Sequence, residues 1–141
     1  MRYAYPAVVE VAADGATITF PDVPGAISAG ADEAEALRQG ADALVSVLAD
    51  MCDRGEALPV PSAARGRPMV SVSVMEAAKL ALNEAMRVRR VSNVDLGRLL
   101  NADEKAVRRL RDVLHVSRMP DVERALAALG KRLTIEVRDA A

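Results

Sequence analysis

Residues 20–37 read FPDVPGAISAGADEAEAL, and the punctuation of that stretch decides how the first half of the chain folds. Pro21 and Pro24 restrict the backbone, Gly25 releases it, and residues 26–30 are short and apolar enough for a strand. Asp32 then fits a helix N-cap. Glu35, three residues on, completes a capping box, and Glu33 stands near the positive helix end. Leu37, Ala41, Leu44, Leu48 and Met51 follow at three- and four-residue spacings, which predicts one apolar stripe facing a sheet, and Gly55 stops the helix.

Upstream, Val8, Val9, Val11, Thr17, Ile18 and Thr19 flank the pair Asp14-Gly15, so two antiparallel strands joined by a tight turn are expected, with Pro6 at the start or edge of the first. Downstream, LPVPSAARGRP reads as a linker. MVSVSV alternates Val70, Val72 and Val74 against Ser71 and Ser73, the pattern of a strand with one buried face. A sheet of about four strands carrying one helix results, although this last strand could belong to the second domain.

The basic half begins with MEAAKLALNEAMRVRRV, a helix that turns Ala78, Leu82 and Met86 inward, with Leu80 and Val91 as further inward positions. SNVDLGRLLN follows, with Ser92 as cap, Leu96 and Leu99 inward, and Asn101 as a left-handed stop. ADEKAVRRLRDVL starts another helix at Asp103 and buries Val107 and Leu110. This spacing of helix, short turn and helix is that of a helix-turn-helix. Burying Val107 and Leu110 sends Glu104, Lys105, Arg108, Arg109 and Arg111 outward. In MPDVERALAALGKRL, Pro120 opens a helix and Gly130 closes it. RLTIEV then alternates Leu133, Ile135 and Val137 as a short strand that needs a partner.

Residues 1–74 hold 5 Lys and Arg against 10 Asp and Glu, a charge of −5, while residues 75–141 hold 14 against 10, a charge of +4. That asymmetry points to a basic partner for the front and a polyanion for the back. A lone cysteine, Cys52, excludes an intrachain disulfide and a thiolate metal cage, and it reads as a packing residue. His115 is the only histidine, and no phosphate loop, nucleophile elbow or His-Glu metal motif is present, so no catalytic residue, cofactor or metal is expected. No apolar run reaches membrane-spanning length and the N-terminus lacks a secretory core, which places the chain in the cytoplasm and away from membranes.

The pattern FPDVPGAISAGADEAEAL, a helix ending in glycine, then LPVPS, resembles the HicB family of bacterial and archaeal antitoxins over residues 3–74. Its most specific part is Pro21-Asp22-Val23-Pro24-Gly25 followed by Gly30 and the helix from Asp32. Ala26 stands where the family often carries cysteine, and Asp32 where a threonine cap is expected; both keep the local physics. The resemblance implies an α+β chain: a partial ribonuclease-H-like sheet with one helix over residues 1–74, which binds a HicA-like toxin. An all-α helix-turn-helix domain with a short C-terminal strand follows over residues 75–141.

Tyr3, Tyr5, Asp22 and Glu33 are the candidate toxin contacts. LGRLLNADEKAVRRL resembles phage-repressor helix-turn-helix domains, which implies base reading by Glu104, Lys105 and Arg109 and phosphate contacts by Arg108 and Arg111, with Ser92, Asn93 and Asn101 alongside. Double-stranded operator DNA and a second copy of the chain, joined through Leu133, Ile135 and Val137, are the other expected partners. Two alternatives stand beside this antitoxin and autorepressor. One is a transcription regulator whose front half holds a small ligand in an apolar pocket, and the other is a ribonuclease-H-like nuclease, for which the carboxylates are already committed to turns and caps.

Overall fold

The computed structural model describes residues 2–140 and is an α+β chain, with strands and one helix first and a helical region after. The strands are β1 (Ala4–Pro6), β2 (Val8–Ala12), β3 (Gly15–Thr19), β4 (Ile27–Gly30) and β5 (Met69–Ser71). The helices are α1 (Glu33–Asp53), α2 (Val74–Arg89), α3 (Asn93–Leu100), α4 (Glu104–Arg111) and α5 (Met119–Ala128).

The predicted hairpin is β2–β3, but its turn is Ala13-Asp14 rather than Asp14-Gly15, because Gly15 already pairs with Ala12. Gly15 has φ +145°, and a Cβ there would lie 2.7 Å from the carbonyl oxygen of Gly30 on β4, so the glycine serves close strand approach. β4 adds to β3 in antiparallel register, Ile18 opposite Ser28. The single sheet expected from sequence is divided into the ladder β2-β3-β4 and a separate pair, β1 with β5. Pro6 has no N–H to give, and the Ala7 N–H goes to the Pro68 carbonyl at 2.9 Å, so β1 and β2 take different partners.

Helix α1 starts as predicted. Asp32 accepts from the Glu35 N–H at 2.8 Å, and the Glu35 carboxylate accepts from the N–H of Ala31, one residue before the cap. Its buried stripe is rotated slightly from the predicted one, to Ala36, Gly40, Leu44, Val45, Leu48, Ala49 and Cys52. Gly40 leaves a flat spot into which Ile18 of β3 packs. These residues close a first core with Tyr3, Tyr5, Ile18, Phe20 and Val23. A second core gathers Leu82 and Met86 of α2, Leu96 and Leu100 of α3, Val107 and Leu110 of α4, and Val122 and Leu126 of α5.

Helix α2 is the shared wall. Ala78, Leu82 and Met86 face the second core as predicted, but Leu80 belongs to the first, together with Val113 from the segment after α4. Leu99, expected inward, is exposed, and Leu100 takes its place in the core. The C-terminal strand of Leu133, Ile135 and Val137 is absent among the described residues. After the Lys131 N–H bonds to Leu126, residues 132–140 carry no strand. Ile135 and Val137 stand exposed, and one strand without a partner has nothing to satisfy its backbone.

Candidate nucleic-acid and partner interfaces

The helix-turn-helix geometry is built from two short helices with three residues between them. Ser92 caps α3 in a reciprocal box with Asp95, at 3.1 Å each way, and the Ser92 backbone N–H, with its hydroxyl second, holds the Asp95 carboxyl below its ordinary value. Asn101 ends α3 in the left-handed region, φ +52° and ψ +47°, as the sequence predicts. Gly97 admits the turn: its carbonyl accepts the Ala102 N–H at 2.8 Å, and a Cβ on it would sit 2.7 Å from the Ala102 carbonyl oxygen. Asp103 then caps α4 by accepting from the Ala106 N–H at 2.7 Å.

On α4, Val107 and Leu110 are buried, and Glu104, Lys105, Arg108 and Arg109 are exposed. Glu104 and Arg108 pair with each other at 2.8 Å, so the two outward side chains without an ion pair among the described residues are Lys105 and Arg109, one turn apart. Arg111 does not point outward. Its Nε donates to Asn83 Oδ1 at 3.1 Å and its Nη1 to Asn93 Oδ1 at 2.7 Å, so two of the residues named for DNA, Arg111 and Asn93, are joined to each other. Ser92 and Asn101 are exposed, and both serve as helix caps.

Sequence reasoning missed Lys79. It lies on α2 with 0% of its surface exposed, and its ammonium donates to the carbonyls of Arg109 and Asp112 at 2.9 Å, to the carbonyl of His115, and to Ser117 Oγ at 2.8 Å. Burial lowers its pKa from the ordinary lysine value, and nearby Asp112 opposes that shift. Asn83, one turn on, donates to the Arg111 carbonyl at 2.8 Å. The signal was available. Lys79 and Asn83 fall beside Ala78, Leu82 and Met86 at helical spacing, so a polar pair lands on a face that has to be buried.

At the front, Tyr3 and Tyr5 are core residues, 6% and 0% exposed, which corrects the expectation that they present a surface to a partner. Their aromatic bodies fill space between β1, β5 and the helices, and the Tyr5 hydroxyl donates to the Pro59 carbonyl at 2.8 Å. Burial pushes the Tyr5 phenol up to about 12 and raises that of Tyr3 further. Asp22 accepts from both the N–H and the hydroxyl of Ser62 at 2.9 Å, fastening the linker to the Pro-Asp-Val-Pro loop, while Glu33 is exposed. The sheet face away from α1 is open: Val8, Thr19 and Ile27 lie in one cross-strand row and are all exposed.

A cavity of about 600 Å³ lies where the tail after α5 meets α2 and Tyr3, lined by Ala81, Ala85, Val88, Leu126 and Leu129. The Tyr3 hydroxyl is buried and has no hydrogen-bond partner among the described residues. Among the described residues, no group of three or more His, Cys, Asp or Glu is placed to hold a metal, and no helix is long and apolar enough to cross a membrane.

Residues 4–81 match the model of a family described as HicB-like antitoxins of bacterial toxin-antitoxin systems. A protein of Photorhabdus laumondii subsp. laumondii named antitoxin HicB 2 is 34% identical over 131 residues, covering 93% of this chain and 94% of its own. Antitoxin HicB 1 of the same organism is 26% identical, covering 94% of this chain and 86% of its own. Antitoxin HicB of Escherichia coli K12 is 27% identical, covering 93% and 96%.

Proposed function

The chain belongs to the HicB-like antitoxin family, and from that premise we propose that it silences a small basic RNA-cleaving toxin of the HicA kind with its front half and represses its own operon with its back half. The family is one of antitoxins rather than enzymes, which sets the nuclease reading aside. The front, residues 1–74, meets the toxin by charge and shape. Its excess of acidic residues steers a cationic partner, and the open face of β2, β3 and β4, with Val8 and Ile27 beside Glu10, offers a flat apolar strip for it to cover. Glu33, exposed at the start of α1, remains a candidate contact.

The back, residues 75–141, holds operator duplex through α3 and α4. The observation that carries this reading is Lys105 and Arg109 standing one turn apart, exposed and without ion-pair partners among the described residues, on the second helix of a helix-turn-helix. Arg108 and Glu104 flank them, and Ser92 and Asn101 cap the two ends of α3. Two copies pair through the tail, where Leu133, Ile135 and Val137 would become strand only on pairing with a second copy, because two half-sites one helical turn apart call for a dimer. The working compartment is the cytoplasm.

Co-purification with the product of the adjacent gene, followed by growth rescue when both are expressed, tests the front. Retention of duplex at low salt by a species of dimer mass tests the back. A chain that rescues growth and holds no duplex would overturn the repressor half alone. A second reading, in which a small ligand modulates the chain, is favoured by the cavity beside the unpartnered Tyr3 hydroxyl. Native mass spectrometry of protein purified from its own host tests it, and a bare protein mass would count against it.

A further inference from the structure

Helix α4 ends at Arg111 with no glycine and no left-handed residue; Asp112 is extended, with φ −67° and ψ 105°. The last carbonyls of a helix need donors from somewhere. The Arg108 carbonyl takes the Asp112 N–H at 2.9 Å. The Arg109 carbonyl takes the Lys79 ammonium at 2.9 Å, and the Arg111 carbonyl takes the Asn83 amide at 2.8 Å. Helix α2 therefore supplies, through two side chains one turn apart, the C-cap that α4 lacks in its own sequence, and it puts a positive charge at the negative helix end. The same ammonium continues to Asp112, His115 and Ser117, binding the whole turn that follows α4.

Burying a cation is costly, and an apolar side chain of equal length would fill the space but leave the carbonyls of Arg109 and Asp112 without that donor. What an apolar chain cannot do is fix direction. Four oxygen acceptors sharing the three N–H groups of one ammonium define where the end of α4 sits, whereas methylene contacts tolerate sliding. The platform beneath is the front core: Leu80, next to Lys79, is packed there, and so is Val113 from the bound turn.

We propose that Lys79 and Asn83 are positioning residues for α4, setting from the front core the angle at which that helix is presented to duplex DNA. The proposal rests on the reading of α4 as the DNA-facing helix and extends it. Base edges accept only donors placed to within a few tenths of an ångström, while long basic side chains follow phosphates over a wider range. Loss of the bracket therefore removes sequence preference before it removes attraction to DNA.

The test uses the full chain with Lys79→Met and Asn83→Ala, a duplex selected by the unaltered protein from a randomised pool, a scrambled duplex, and hydrogen exchange read by mass spectrometry. Each variant is expected to bind the selected duplex about tenfold more weakly or worse and the scrambled duplex within about twofold. Amides of residues 109–117 should lose protection while those of α1 keep it. An equal loss on both duplexes would mean a merely structural role and overturn the proposal, as would unchanged selectivity. Should Lys79→Met fail to fold, Asn83→Ala decides by the same measurements. If the unaltered protein holds no duplex, the repressor reading falls by itself, and exchange alone judges the bracket: full protection at 109–117 in both variants would sink it.

Discussion

Arg111 donates to Asn93 at 2.7 Å, which ties the last residue of α4 to the first residue of α3. A second bond from the same guanidinium reaches Asn83 on α2, so one side chain joins three helices at a half-buried junction. The planar fork holds both acceptors at once, and a lysine ammonium at that distance cannot reproduce the arrangement.

Arg111→Ala is therefore expected to lower stability by about 1–2 kcal/mol, and Arg111→Lys to recover little of it. Urea unfolding followed by circular dichroism measures both. If Arg111→Ala leaves the midpoint unchanged while weakening all duplexes alike, the side chain is a phosphate contact after all.

Arg109 and Arg108 differ in setting, and their losses should differ in kind. Arg109 has no ion-pair partner among the described residues, so Arg109→Ala is expected to relax sequence preference, at about 1–3 kcal/mol of lost discrimination. Arg108 is held by Glu104 in an exposed pair worth little by itself, and Arg108→Ala should weaken all sequences evenly while lowering the log-log salt slope by about 0.9. Binding isotherms on matched and scrambled duplexes across a salt series separate the two; identical salt slopes in both variants would contradict the assignment.

Gly40 poses two effects of opposite sign. Alanine is the better helix former by about 1 kcal/mol. A Cβ at Gly40, however, would lie 2.6 Å from Cδ1 of Ile18, and Ile18 is fully buried and cannot step aside. Overpacking of that kind costs about 1–3 kcal/mol, so Gly40→Ala should be destabilising on balance. Thermal melting of the full chain reads the sign directly.

The local signals were legible in sequence wherever they were self-contained. Asp32 with Glu35, Ser92 with Asp95, Asn101, Gly55 and Pro120 mark helix ends through neighbours a few residues away, and the structure uses each at or beside the predicted place. Partners distant in sequence were not legible. Tyr3 and Tyr5 look like surface anchors until β5 and α2 close over them, and Arg111 looks like a free cation until Asn83 and Asn93 are brought beside it. The sheet divides between Ala7 and Val8, where pairing passes from the β5 side to β3, a partner change between segments distant in sequence. The tail strand has the right alternation, but residues 132–140 pair with no strand among the described residues.

Cys52 is buried in the first core, and desolvation first, with nearby Glu84 adding to it, pushes its thiol up to about 12. Thiolate is the reactive form, so at mildly alkaline pH the folded protein holds almost none. Alkylation by iodoacetamide is expected to be slow in buffer and fast in denaturant. Rapid labelling of folded protein at pH 8 would show that the core around α1 opens easily.

Asp95 carries the pH dependence of the α3 N-terminus. Its carboxyl accepts the Ser92 N–H, while its own N–H donates to the Ser92 hydroxyl; the Ser92 N–H first, and the hydroxyl beside it, hold the carboxyl pKa below the ordinary 3.8. A carboxyl whose folded pKa is depressed binds protons more readily when unfolded, so its contribution is complete above 3.8 and fades as pH falls through the lower folded value. The first turn of α3 should therefore fray only in strongly acidic solution, and the side chain of Arg98 adds modestly to the same shift. Titration of the Asp95 carboxyl by NMR is expected to give a midpoint below 3.8 that returns toward it in Ser92→Ala, where the hydroxyl that fixes Asp95 is gone. A midpoint that does not move in that variant would assign the shift to the Ser92 backbone N–H, which the substitution keeps, rather than to the hydroxyl.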